Sequence, residues 1–236
     1  MSARPTIAPD PAWRGLYRAG AVAALLYVVF VLIVPTVMFV DQYDRGMDGQ
    51  RLLQYIAEHR GWWIALQTLV LPVASVLLII VLGTVYVSLA RQRSWQAAIG
   101  GTLGIASQIV WIAYYPVTLG LVFLADYHVD ADAERRVLLA GGAEGLIAII
   151  DAFNPIYEAI FAIGVSLLSV AMLRGPYPRW LARLGVAIGP AAVASAALWP
   201  LIEVGYLWWW ILVAAWLIGV GWQLYRLGGA QLEVSA

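Results

Sequence analysis

One apolar stretch carries the groups most able to do chemistry: Glu144, Asp151, Asn154, Pro155 and Glu158. The three acids recur every seven residues, so on a helix they share one face. Counted back from Arg174 at about 1.5 Å per residue, Glu158 lies roughly 24 Å above the inner boundary of a bilayer. Asp151 then falls near the outer boundary and Glu144 beyond it. A charge at mid-bilayer costs about 2.5–3.5 kcal/mol even on the lenient insertion scale, so Glu158 must face other helices, find a partner or take up a proton. A protonated acid can still donate a hydrogen bond. Asn154 sits one turn above it, Gln108 and Tyr114 of the preceding stretch fall at similar depth, and no arginine is near in sequence. Glu158, Asn154, Asp151, Gln108 and Tyr114 therefore form the candidate polar site. Two readings stay open. In one, the acids make an outward-opening funnel that leads a cation, a proton or a polar small molecule to a site beside Pro155. In the other, Glu158 or Asn154 bonds the carbonyl that the proline frees.

Other chemistry is largely excluded. The chain has no cysteine and all its basic residues are arginine, which removes disulfides, thiolates, Schiff bases and lysine nucleophiles. His59 and His128, the two histidines, fall in loops between the apolar stretches, so histidine-held haem or zinc inside the membrane is not expected. The alternation Asp126-x-His128-x-Asp130-x-Asp132-x-Glu134 could hold a cation, yet Arg135 occupies the position where a calcium loop needs glycine. A solvated loop ending in a helix cap suits it better. No nucleophile, base and metal set converges at one depth, so the chain reads as a non-enzyme with no metal and no cofactor. Fourteen basic and fourteen acidic residues give no net field to recruit nucleic acid.

The elements that must position these residues follow from composition. The 236 residues are 63% hydrophobic and 12% charged, with a mean hydropathy of +0.82, against about 25% charged in soluble domains. Six stretches meet the rule of about 20 apolar residues per crossing: 19–40, 62–90, 97–124, 140–173, 184–202 and 206–225. The expected fold is all-α, a six-helix transmembrane domain over 19–226 between cytoplasmic tails 1–18 and 227–236. No cleaved signal peptide is expected. The fourth helix should start early, since Asp132 can cap it and Glu134 suits its first turn. A tight turn through Glu203 should bring the last two helices antiparallel. Arg4, Arg14, Arg18, Arg91, Arg93, Arg174, Arg179, Arg183 and Arg226 fall on one side and five arginines among many acids on the other, which puts both termini in the cytoplasm. Between 41 and 61, Leu52, Leu53 and Ile56 at helical spacing with Asp48 before them predict a short outer helix covering the mouth of the bundle.

An internal repeat is also visible. Trp95-x-Ala97-x-x-Gly100-x-x-x-Gly104 reappears as Trp180-x-Ala182-x-x-Gly185-x-x-x-Gly189, and Pro72 and Pro155 precede the two tryptophans by similar distances. Helices two and three would then copy helices four and five, with Ser75 the counterpart of Glu158. Packing alone could also select such small residues, which let backbones approach in lipid, so Gly100, Gly104, Gly185 and Gly189 should mark helix crossings either way. Kinks are expected at Pro72 and Pro155, and Pro116 and Pro200 should bend or end their helices.

The stretch from Ala131 to Leu201 resembles a bacterial family of multi-pass proteins catalogued as domain of unknown function 4386. The resemblance rests on the Ala-rich helix start with Glu144, an Asp151-Ala152-Phe153 turn, and the segment from Leu173-Arg174 to Pro178-Arg179-Trp180-Leu181 with Gly185 and Gly189. It extends more loosely over the first three helices. It implies about six helices in a bacterial inner membrane and brings no substrate and no functional residue. The expected partner is the lipid bilayer, with a homo-oligomer or a larger membrane complex left open. Three functional classes remain: a small transporter or channel-like protein using the acidic funnel; an accessory subunit, which should expose a strip of small residues and aromatics, for example along the sixth helix through Trp209, Trp216, Gly219 and Gly221; and an intramembrane enzyme, against which the missing nucleophile, base and metal set counts.

Overall fold

Where a run of apolar residues is too long to leave its backbone polar groups to water, the helix is the structure that pairs them within the run. The computed structural model describes residues 11–40, 47–198 and 205–229, and among them the fold is all-helical with no strand. One turn at Pro11–Trp13 leads into α1 (Arg14–Val40). The short α2 (Gly49–Glu58) follows, then α3 (Arg60–Gln92), α4 (Trp95–Val129), α5 (Ala133–Met172), α6 (Arg179–Leu198) and α7 (Gly205–Gly229). Four of these are long and apolar enough to cross a membrane: α3, α4, α5 and the Trp209–Gly229 part of α7. The turn through Glu203 and the tail residues 1–10 and 230–236 lie outside the described residues.

Local signals set the helix ends. Asp48 accepts from Arg51 N at 2.8 Å and starts α2; Asp132 accepts from Arg135 N at 2.8 Å and starts α5. α3 stops at Arg93, whose left-handed backbone (φ 47°) lets its N–H return to Ala90 O. Prolines act less sharply than their sequence positions suggest. Pro116 lies inside α4 and Pro155 inside α5, and neither ends its helix. Residues 151–153, read as a turn, are helical within α5. Ahead of Pro72 the helix widens over Leu66–Val70, where Leu71 N–H reaches back five residues to Leu66 O. A widened turn of this kind leaves room for a proline ring and re-aims the side chains upstream of it.

The long helices form a closed ring. α1 packs on α3, α3 on α4, α4 on α5, α5 on α6, α6 on α7, and α7 returns to α1. The α4–α5 pairing is the most extensive. Its crossing is glycine on backbone: a Cβ on Gly164 would stand 2.6 Å from Gly104 N, and one on Gly100 would stand 2.6 Å from Leu168 N. On the other flank of α5, Gly185 leaves the space that Ser169 fills, and Gly189 receives Ser166. The two glycine pairs thus grip α5 from its two sides. Trp209, Trp216, Tyr17 and Phe161 fill the main core. A second, smaller apolar cluster seats Leu52, Leu53 and Ile56 of α2 against Leu121, Val122 and Ala125 of α4 and Ala143 of α5.

Candidate functional site

α5 is forty residues long, about 60 Å at 1.5 Å per residue, twice the hydrocarbon thickness. Its acids consequently meet different surroundings. Glu144, in the N-terminal third of α5, accepts a hydrogen bond from Gly49 N at 3.2 Å and so closes the first turn of α2. Asp151 is exposed. Glu158, at 8% exposure, is buried about two-thirds of the way along the helix. It lies on the flank of α5 that continues one turn inward to Ala162, whose carbonyl approaches Gly189 of α6. Seven residues of helix separate each acid from the next, about 10 Å, so the three do not touch. The structure gives Glu144 a capping role that the funnel reading did not foresee.

The remaining site residues divide between two faces of α5. Gln108, 1% exposed, donates to Tyr157 Oη at 3.2 Å and lies 3.3 Å from Ser107 Oγ. Tyr114 is buried and stacks on Trp111 and Phe153 with ring centroids 5.0 and 5.9 Å apart. Asn154 is half-buried, and its Oδ1 has no hydrogen-bond partner among the described residues. Gln108 and Tyr114 are therefore assembled around Tyr157, next to Glu158 in sequence but about 100° away around the helix.

Sequence reasoning missed the polar seam that links α3, α4 and α5. Gln67, in the widened turn of α3, accepts from Thr118 Oγ1 at 2.6 Å; Ser75 Oγ and Tyr115 Oη are 3.0 Å apart; Gln108 and Tyr157 continue the series to α5. All lie between apolar residues, where an interhelical hydrogen bond replaces water that lipid does not supply. The signal was present, because Gln67 is a lone amide in the apolar run 62–90. Its inward aim depends on the widened turn, which sequence did not show. Aromatic rings extend the seam sideways: Trp111 stacks on Tyr157 at 4.5 Å, Tyr157 on Phe161 at 6.4 Å, and Phe161 meets Trp209 at 6.2 Å across α7.

Ser166 is a second omission. Pro190 lies inside α6 and cannot bond Val186 O. Ser166 Oγ of α5 stands 3.3 Å from Val186 O and 3.4 Å from Gly185 O, and it accepts from Gly189 N at 3.0 Å. The proline defect that the sequence placed at Pro72 and Pro155 is here repaired by a neighbouring helix.

At the end of the bundle that carries α2, Arg60 forms a two-pronged pair with Asp126, 2.7 and 2.9 Å, tying the start of α3 to the end of α4. The hydrogen bonds from Arg60 hold the Asp126 carboxyl below the usual carboxylate range. The Asp126-to-Glu134 alternation, expected as a loop, is mostly helical: Asp126 and His128 lie at the end of α4, Asp132 caps α5 and Glu134 sits in its first turn.

Long apolar helices in a ring and polar groups paired across their interior define the class: a helical membrane protein. Comparison with protein-family models, with curated proteins and with solved structures finds no match for the chain.

Proposed function

We propose that this protein is a small transporter or channel-like protein that moves a proton, a cation or a polar small molecule past Glu158. The observation that carries the reading is the burial of a carboxylate about two-thirds of the way along a forty-residue helix, within its apolar part. An ionisable group at that depth is costly, and a protein keeps one chiefly where it handles charge or polar cargo. The polar seam from Gln67 to Tyr157 on the adjoining face supports it. In this account all six apolar stretches cross the membrane, the arginine-rich side faces the cytoplasm, α3–α4 and α5–α6 descend from one hairpin, and the setting is a bacterial plasma membrane, as the resemblance to domain of unknown function 4386 implies.

The strip through Trp209, Trp216, Gly219 and Gly221 does not supply the surface an accessory subunit would use, which leaves that reading to other positions of α7 such as the exposed Trp222 and Tyr225. Trp209 and Trp216 are buried, Gly221 packs on Ala24 of α1 and Gly219 on Leu181 of α6, so that strip faces the bundle. The test is flux into sealed vesicles carrying the purified protein, driven by a proton or sodium gradient and read with trapped indicator dyes. Glu158→Gln should lower flux at least about tenfold, a rise of about 1.4 kcal/mol in the transport barrier, while helicity and thermal midpoint stay near wild type. Equal flux in variant and wild type, or none in the wild type, overturns the proposal.

A further inference from the structure

A cleft of about 270 Å³ opens at the turn between α3 and α4, with Tyr86, Arg93, Ser94 and Trp95 at its rim and Leu89 and Ala97 as its apolar floor. That volume is just under the roughly 300 Å³ at which drug-sized sites begin, so it suits a headgroup rather than a whole lipid. We propose that this cleft binds the phosphate of an anionic phospholipid headgroup. Three independent features converge on it. Arg93 brings a guanidinium whose planar donors match phosphate oxygens, and no acid pairs with it among the described residues. Trp95 and Tyr86 are 61% and 38% exposed beside it, and such amphipathic rings settle at the level of lipid headgroups. Arg93 is also the sole non-glycine residue with positive φ among the described residues, at a helix stop where glycine is the default. Backbone strain of this kind persists where the side chain has work to do.

The turn is held in place from below. With its amide turned to satisfy both neighbours, Gln92 donates to Ala171 O and accepts from Gly175 N, each at 3.2 Å, which ties the cleft to the α5–α6 turn that holds Arg174 and leads into Arg179 and Arg183 at the start of α6. The proposal rests on the membrane setting of the arginine-rich end and is independent of transport through Glu158.

The experiment measures lipid retention by native mass spectrometry of the full chain from mixed detergent micelles, with phosphatidylglycerol, phosphatidylcholine and soluble glycerol phosphate as separate probes. Wild type should retain phosphatidylglycerol at least fivefold over phosphatidylcholine and should not retain glycerol phosphate. Arg93→Gly removes the charge and relieves the backbone, so it should lose the preference while its thermal midpoint in neutral detergent holds or rises. Arg93→Gln reads the charge alone should the glycine variant fail to fold, and Arg51→Gln, at the other end of the molecule, should keep the wild-type preference. An unchanged preference in both Arg93 variants overturns the proposal. So does retention of glycerol phosphate to the same extent as the lipid, which would make the ligand a soluble phosphate.

Discussion

Ser166 does for Pro190 what a backbone N–H does elsewhere in a helix, and its single hydroxyl serves both sides of the defect. Ser166→Val should therefore leave Val186 O and Gly189 N unpaired in a packed interface. A loss of about 1–2 kcal/mol in detergent unfolding is expected, with Ser166→Thr retaining most of the stability. Equal stability of the valine variant would show that the contact at 3.3 Å is incidental. The Arg60–Asp126 pair makes a pH prediction of known sign. The Asp126 pKa is depressed in the folded protein, so its contribution is present above the ordinary aspartate pKa near about 3.9 and is lost as pH falls through the lower folded value. Both groups are largely exposed, so acid should open the junction locally, seen as faster amide exchange at the start of α3, and leave the bundle folded. Global unfolding between about pH 4 and 3 would contradict this. Glu158 was legible beforehand, because an acid in an apolar run stands out by type alone, and Asp126 drew notice as part of an acidic alternation without its pairing to Arg60. Ser166 did not stand out, since serine is ordinary in membrane helices and its role appears only once Pro190 is beside it.

Helix-level behaviour turns on how closely α4 and α5 approach. A Cβ on Gly164 meets the backbone of Gly104, which cannot give way, whereas a Cβ on Gly104 meets the tip of Leu82 at 3.1 Å and one on Gly83 meets nothing within 4 Å. Gly164→Ala should cost about 1–3 kcal/mol. Gly104→Ala should cost less, and Gly83→Ala should be neutral or stabilising by up to about 1 kcal/mol through helix propensity. Thermal midpoints of the three variants in one detergent check the order; a Gly83 variant as unstable as the Gly164 variant would contradict the crossing. Helix limits were readable from apolar length, and α2 from Asp48 together with Leu52, Leu53 and Ile56. The rotation of each long helix was not. A helix apolar on every side offers no stripe from which to read its facing, so Gln108 could be placed at the depth of Glu158 but its pairing with Tyr157 could not be foreseen.

At the scale of the molecule, the ring order places α5 between α4 and α6, and this is why one helix can present Tyr157 to a polar seam and Glu158 to the adjoining flank, about 100° around. The end of α4 and the start of α5 carry α2 on them as a cap, with Glu144 bonded to its first turn and Asp126 to Arg60 just after it. Neither the closure of α7 onto α1 nor this cap follows from counting apolar stretches, because both depend on contacts between segments far apart in the chain. The proposed depth of Glu158 depends on an even number of crossings with the arginine-rich ends on one side. The absence of native cysteine makes that directly measurable in intact cells: single cysteines at Ser2, Asp130 and Ser235, probed with a membrane-impermeant maleimide. Labelling of Asp130→Cys from outside, with Ser2→Cys and Ser235→Cys reacting only after the membrane is permeabilised, is the predicted result; either terminal cysteine reacting in intact cells would contradict it.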